Sequence, residues 1–413
     1  MTRNSHIYYL TIAFLLLCIH GFAQNFGCTD SLAANYNQLA TINDGSCVYQ
    51  NTSVSPISSA LLSDTLAETS GMIWWDSGLW THNDNSDLNL YKLDSATGSI
   101  THNAIISGIQ NTDWEDISQD SSHIFIGDFG NNSNGNRTDL RIYRVSKFSI
   151  LLNNPVVDTI SFSYSDQINF NPTGSNNTDF DCEAMIVRGD SIYLFTKQWV
   201  SKQTSWYVLP KLPGSHIAQV RGTHDVQGLI SGATTYPGSQ LVVLTGYNQI
   251  LNPFLYLLYD FPIYDLFGGN KRKVNLSMPF HQVEAITTLN GTRYYITNER
   301  FQQPPLINTE QNLHVLDLEP LLSYYLNSLT VSMPEISMQN KLNVFPNPAS
   351  DEVYVRVTGE HTSNEYRIYD ETGVAVARGI IEKGVNILDV SALSKGVYIM
   401  ESGFLHTRIV IIR

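Results

Sequence analysis

No apolar run among the 413 residues reaches the roughly 20 that a membrane-spanning helix requires; the longest, residues 7–19, has 13. Cations are scarce too, with 24 Lys and Arg against 38 Asp and Glu and a formal net charge of −14. Such an acidic balance argues against nucleic-acid or anionic-membrane partners, because phosphate binding needs clustered positive charge. The acids are spread along the chain and form no acidic tail. Nucleophile-elbow, His-Glu-x-x-His and phosphate-loop signatures are all missing. Only four cysteines occur, at 18, 28, 47 and 182.

What is present at the N-terminus has the grammar of a secretory signal. Arg3 is the positive start, Ile7 to Ile19 the apolar segment, and Gly21-Phe22-Ala23 a small-x-small cleavage site. Residues 1–23 are therefore expected to be a signal peptide, leaving no transmembrane helix in the mature chain. Their removal takes away one Arg, no acid, and Cys18. Cys28 and Cys47 then enclose 18 residues. An oxidising destination makes them an expected disulfide, worth about 3 kcal/mol by loop closure. Residues 24–50 are thus expected to form a small stapled module, with Cys182 left as a buried free thiol.

From 54 to 335 a unit recurs: a polar residue, a small residue, then an apolar strand. Its instances begin at Thr69, Trp114, Cys182, Ile230 and Val283, and Ser70, Glu115, Glu183, Ser231 and Glu284 follow at spacings of 45, 68, 48 and 53 residues. Each is followed by a second strand (residues 79–83, 124–128, 193–197, 242–246, 294–298) and a third. A period of 40 to 50 residues with four short strands predicts an all-β fold, a β-propeller. Five blades are expected, or six if the 68-residue interval holds another. The fifth unit lacks a fourth strand; residues 54–62 are expected to supply it and close the ring, which removes exposed sheet edges.

Inner strands of a propeller line its axis, so polar residues at equivalent positions converge. One column is Ser70, Glu115, Glu183, Ser231, Glu284; the next is Asn83, Asp128, Lys197, Gly246, Asn298. Glu68, Asp84, Asp113, Asp116, Asp181 and Glu299 flank them. Three glutamates in one column repel each other unless a cation, Lys197 or shared protons offset them. Hard oxygens at several points of a ring suit calcium, which makes Glu115, Glu183, Glu284, Asn83, Asp128 and Asn298 the candidate ligands. The same carboxylates could instead cap strand ends on neighbouring blades' amides, or act as a catalytic pair, with Glu115, Glu183, Glu284 and His82 as candidates. Trp74, Trp75, Trp80 and Trp114 crowd the first two blades, as inter-blade core or as a sugar platform. A binding module for a glycan or protein and a metal-dependent hydrolase of esters, lactones or phosphoesters both remain open; whether the chain is an enzyme is uncertain at this stage.

The last 72 residues alternate apolar and polar side chains, as a half-buried antiparallel sandwich does. Phe345-Pro346-Asn347-Pro348, residues 352–357, 366–373 and 388–398, and the closing 408–413 resemble, in order and spacing, the C-terminal sorting domain of the type IX secretion system of Bacteroidota. The resemblance implies an Ig-like sandwich over 342–413, after a linker at 336–341. It also implies contact with that secretion machinery and export across the outer membrane, to be secreted or attached to the cell surface. Residues 27–47 resemble a short Cys-bounded repeat of exported proteins from these bacteria. Leu79 to Asp84, Asp113 to Ile117, and Gly127 to Asn132 followed by 141–145 resemble an uncharacterised family of exported propellers. More distantly the acidic columns look like calcium-dependent phytase-like and lactonase-like propellers.

Overall fold

The computed structural model describes residues 24–262, 265–330, 341–358, 365–370, 374–402 and 405–412. The chain divides into two compact units, Met1–Leu329 and Thr330–Arg413. The expected signal segment, residues 1–23, and residues 336–340 of the expected linker lie outside the described residues.

In the first unit, β1 (Phe26–Gly27) and β2 (Ile42–Asn43) pair in parallel within the N-terminal module, and β3 (Thr52–Val54) and β4 (Ser58–Leu61) follow. The first blade is β5 (Thr69–Trp75), β6 (Gly78–Asn83), β7 (Asn89–Leu93) and β8 (Ile100–Ile105). The second is β9 (Trp114–Gln119), β10 (His123–Asp128), β11 (Arg141–Ser146) and, after the short helix α1 (Lys147–Leu151), β12 (Val157–Tyr164). The third is β13 (Cys182–Arg188), β14 (Ser191–Thr196), β15 (Thr204–Pro210) and β16 (Gly214–His224). The fourth is β17 (Leu229–Thr235), β18 (Leu241–Tyr247), β19 (Pro253–Tyr259) and β20 (Asn270–Leu276), widened by β3. The fifth is β21 (Val283–Thr288), β22 (Arg293–Asn298) and, beyond the hairpin β23 (Phe301–Gln303) and β24 (Ile307–Thr309), β25 (Asn312–Asp317). Helix α2 (Glu319–Thr330) ends the unit, sending Leu322 and Tyr325 into the core of the last two blades.

The inner strands β5, β9, β13, β17 and β21 each pack on the next, and β21 packs back on β5, so the ring closes at five. Its outer lock is β4, which pairs antiparallel with β25, Leu61 opposite Asn312 and Ser58 opposite Val315. The first strand-forming stretch thus completes the last blade. The 68-residue interval holds no sixth blade. It is taken up by α1, the eight-residue β12 and irregular chain over 165–181. Two further pairings fall outside the four-strand expectation: β12 and β16 run parallel and fuse the second and third blades at their rims, and β3 adds to β20.

Core side chains lie between the sheets. Ile73, Trp75, Trp80, Trp114, Ile117, Ile126 and Tyr143 form one such layer between the first two blades. Trp75, Trp80 and Trp114 are therefore core; Trp74 is half-buried against Tyr295. The N-terminal module is stapled by Cys28–Cys47 and docks on the fourth blade. Asp30 is buried and accepts the Tyr49 and Tyr259 hydroxyls. Asn43 Nδ2 donates to Asp260 Oδ2 and Asn270 Oδ1, both at 2.9 Å. Cys182 is a buried free thiol.

The second unit is a two-sheet sandwich. One sheet is built from β26 (Lys341–Phe345), β27 (Glu352–Thr358) and β30 (Gly384–Asp389). The other holds β28 (Glu365–Tyr369), β29 (Ala375–Ile380), β31 (Gly396–Ser402) and β32 (Leu405–Ile411). Alternation sends Val353, Val355, Ile368, Leu388, Met400 and Ile409 inward. Phe345 stacks on Tyr354, and Asn347 holds the last strand by donating to Arg408 O and accepting from Val410 N. Among the described residues no helix is long and apolar enough to cross a membrane.

Candidate functional site

A β-bulge interrupts the pairing of every inner strand at the same level. It leaves one residue unpaired on each: Gly71, Glu115, Glu183, Ser231 and Glu284. A bulge re-aims the side chain of its extra residue, here repeated around the ring. The expected column is observed with one correction. Ser70 is paired, opposite His82, and the bulged position of the first blade is Gly71. Glycine is required there: φ is +51°, and a Cβ would come 2.7 Å from both His82 Nε2 and Ile117 N. Ser70 and Ser231 use their hydroxyls to bond the next blade, at Glu115 O and Val283 O.

The bulge glutamates converge. Lys197, the residue after β14, places Nζ 3.2 Å from Glu183 Oε2 and 3.8 Å from Glu284 Oε1. The rings of Trp199 and Tyr247 lie 5.0 and 5.2 Å from the same nitrogen. Burial works against this ammonium, yet Glu183 and Glu284 hold its pKa well above the ordinary lysine value. Glu115, Asp181 and Glu183, all buried, bring ligand oxygens within 4.8 Å of one another. Burial, then Glu183, Asp113 and Asp181, push the Glu115 carboxyl well up. A second trio, Glu68, Asp84 and Glu299, meets the same distance at the mouth. Burial and then Glu68 and Glu284 raise Asp84 to about 7. Burial and Asp181 raise Asp113 to about 6. Glu299 is driven well up by burial, Glu284 and Asp84.

Other acids are consumed by structure. Asp116 accepts the amides of Ile117 and of Met185 in the next blade at 2.7 Å each. Asp181, a member of the deeper trio, also accepts Asn131 N and Trp199 Nε1. Asp128 is neutralised by Arg137 and Arg141 at 3.0 and 3.2 Å. Asn298 spends Nδ2 on Glu299 O and Glu310 O, and bonds His314 through Oδ1. Asn83 donates to Thr65 O and Asp87, leaving Oδ1 without a partner. His82 is fully buried, edge-on to Trp114 at 5.7 Å, and its Nδ1 faces Asn83 O. Since a carbonyl only accepts, Nδ1 carries the proton and Nε2 is bare; burial lowers this histidine to about 4. The three glutamates are thus brought together. Asn83, Asp128 and Asn298 are tied into loops and ion pairs at the strand ends. Glu68, Asp84, Asp181 and Glu299 join the carboxylate groups from flanking positions, because each bulge shifts which residue faces the axis.

Comparison with known proteins places the tail alone. Residues 343–409 match the secretion system C-terminal sorting domain. The chain is exported across the outer membrane, to the cell surface or the medium, as cargo that engages the type IX machinery. Comparison with curated proteins gives no match. Among solved structures, a chain from "Crystal Structure of Mitotic Checkpoint Complex" aligns over 65% of this chain and 94% of its own, at 8% identity and a TM-score of 0.34. A likeness that weak carries no argument.

Proposed function

We propose that this cargo is a binding module: a five-bladed propeller that holds calcium at its acidic mouth and uses that face to recognise a glycan or protein ligand. One observation carries the reading. Two groups of carboxylates, Glu115, Asp181 and Glu183 and then Glu68, Asp84 and Glu299, each bring oxygens within 4.8 Å of one another, while the ammonium of Lys197 is shared between Glu183 and Glu284. Excess buried negative charge of this kind needs protons or a cation. Carboxylates from several blades offer the hard, flexible oxygen set that calcium takes. Thermal melting of the mature chain in a calcium titration tests it. A midpoint that climbs with calcium is expected, since a ligand of the native state stabilises by mass action. An unmoved midpoint at millimolar calcium overturns the reading.

A metal-dependent hydrolase is the second reading. Asp84 near 7 and Asp113 near 6 are poised, close to neutral pH, as an acid or base needs to be. Phosphoesters fit least, because Lys197 is buried and committed to Glu183 and Glu284. Turnover of ester and lactone panels that Glu183→Gln abolishes would favour this reading; no turnover with wild-type protein would leave the binder.

A further inference from the structure

Segments that follow the second strands and precede the inner strands open on the mouth, because Lys197, Glu299 and the bulge glutamates sit at those strand ends. In the first two blades these segments, residues 62–68, 84–88, 106–113 and 129–140, expose no large hydrophobic side chain. In the last three blades they do. Val200 after β14, Ile250 after β18 and Leu306 after β22 are each more than half exposed, and Phe280 before β21 is 46% exposed. Single apolar residues on a surface mean little, but a connected patch marks an interaction site. The segments that carry these four are linked around the ring. A groove of about 390 Å³ runs from Lys202, past Gln227 and Gly228, to Ile250. His281 N then donates to Leu251 O at 3.2 Å, and Thr309 Oγ1, beyond the Leu306 turn, donates to Phe280 O at 2.9 Å.

Phe280 is the strained member. Its φ is +65°, a left-handed conformation that bulky residues rarely adopt. Thr309 holds its carbonyl and Leu251 holds the next amide, so neighbouring segments impose the strain from both sides. Backbone held in such a state points to function. Here it presents an aromatic ring to water, the kind of anchor that dominates protein interfaces. The acidic mouth adjoins it directly. Gln282 O accepts Glu299 N at 3.1 Å, and Gln282 Nε2 donates at 3.3 Å to the hydroxyl of Tyr247, whose ring faces Lys197. Cations at the groove are turned to the backbone: Lys202 Nζ donates to Trp199 O, and Lys273 Nζ to Val226 O and Gln227 O at 2.8 Å each. An apolar patch that borders carboxylates complements a partner with positive charge set among apolar side chains. A neutral glycan would draw nothing from that charge.

We infer that this side of the mouth face, with Phe280 at its centre and Val200, Ile250 and Leu306 around it, docks a cationic, apolar segment of another protein. The inference rests on the binding reading and narrows its partner, without needing the calcium. A random peptide library displayed on phage and panned on the immobilised mature chain, in calcium-containing buffer, is the test. Enriched peptides are expected to carry Lys or Arg among aliphatic or aromatic residues. Fluorescence anisotropy of the most enriched peptide then compares wild type with Phe280→Asn, Ile250→Ser and Leu289→Ser. Asn suits the left-handed backbone, so Phe280→Asn should keep or raise the thermal midpoint while affinity falls about tenfold or more. Ile250→Ser, at an exposed loop residue, should weaken binding too, and keeps the test open should Phe280→Asn fold poorly. Leu289 is also exposed but lies in the turn between β21 and β22, at the other end of the blade, and its variant should bind as wild type does. Unchanged affinity with a lowered midpoint in Phe280→Asn makes the ring structural and overturns the inference. Equal loss in Leu289→Ser, enrichment of acidic or uncharged peptides, or no enrichment overturns it as well. Dextran that binds wild type and is lost in Phe280→Asn assigns the patch to a glycan instead. None of these outcomes touches the calcium-dependent midpoint; an unmoved midpoint beside enriched cationic peptides removes the calcium and keeps the docking surface.

Discussion

Lys197 Nζ lies 3.2 Å from Glu183 Oε2, and this buried pair is the electrostatic pivot of the propeller. Both residues come from the third blade, one in the bulge of its inner strand and one just past the second strand. Glu284 of the fifth blade reaches the same nitrogen. An ion pair so placed adds little net stability, yet breaking it from one side is expensive, because the survivor is a charge without water or partner.

Lys197→Met is therefore expected to cost about 3–5 kcal/mol at pH 7.5, measured by urea unfolding of the mature chain. The loss should shrink at pH 5, where Glu183 and Glu284 can take up protons. Glu183→Gln should cost less, since Glu284 still faces the ammonium. Equal costs for the two variants would contradict a shared counter-charge.

Stability in the presence of a chelator is expected to fall between pH 6.5 and 8.0. Asp84 and Asp113 have folded-state values near 7 and 6, above the ordinary 3.8, and Glu115, Glu183 and Glu299 lie well above 4.5. A raised carboxyl binds more protons folded than unfolded, so its stabilising contribution is complete at low pH and is lost as pH rises through the folded value. His82 and His314, both lowered to about 4, act with opposite sign, but only between 4 and 6.5, outside this window. Thermal midpoints with EDTA at the two pH values check the sign, and added calcium should flatten the difference. A higher midpoint at pH 8.0 without calcium would refute the account.

Asp30 should matter for the propeller as well as for the stapled module that carries it. Its carboxylate accepts two tyrosine hydroxyls, one of them Tyr259 of β19. Asp30→Ala takes the acceptor from Tyr49 and leaves Tyr259 only the Tyr49 hydroxyl at 3.0 Å, a loss of about 1–3 kcal/mol. Because the contact joins module and blade, chymotrypsin should release the N-terminal segment faster in the variant than in wild type. Unchanged cleavage would mean that the module is held by its other contacts with the blade, such as Asn43 and Thr29 on Asp260 and Lys271 Nζ on Gly45 O.

Much of the architecture was legible because a propeller writes its period into the chain. The five inner strands, the second strands and the closing role of 54–62 followed from spacing and alternation. The helices α1 and α2 did not, since five and twelve residues of mixed polarity between strands give a weak helical period. The parallel contact of β12 with β16 was equally hidden, being a rim pairing between blades that no local pattern encodes. At the site, Glu115, Glu183 and Glu284 stood out by recurrence. The division of labour among their neighbours did not. Whether an aspartate meets an amide, as Asp116 does, or an arginine, as Asp128 does, depends on the next blade. The bulge explains the one slip of register: Ser70-Gly71 and Ser231-Gly232 look alike, but the bulged residue is the glycine in the first pair and the serine in the second.

That slip yields a sharp test of the bulge column. If Gly71 occupies the place held elsewhere by Glu115, Glu183, Ser231 and Glu284, it has been kept small because this blade's bulge sits against His82 and the second blade's backbone. Gly71→Ala then combines a strained positive φ with contacts of 2.7 Å to His82 Nε2 and to Ile117 N, of which the backbone amide cannot move away. A loss of about 2 kcal/mol or more is expected by urea unfolding. Ser70→Ala is the control: it removes one inter-blade hydrogen bond at a paired position and should cost about 1 kcal/mol. If Ser70→Ala proves the more damaging, Ser70 and not Gly71 is the position that the fold constrains, and the column must be redrawn.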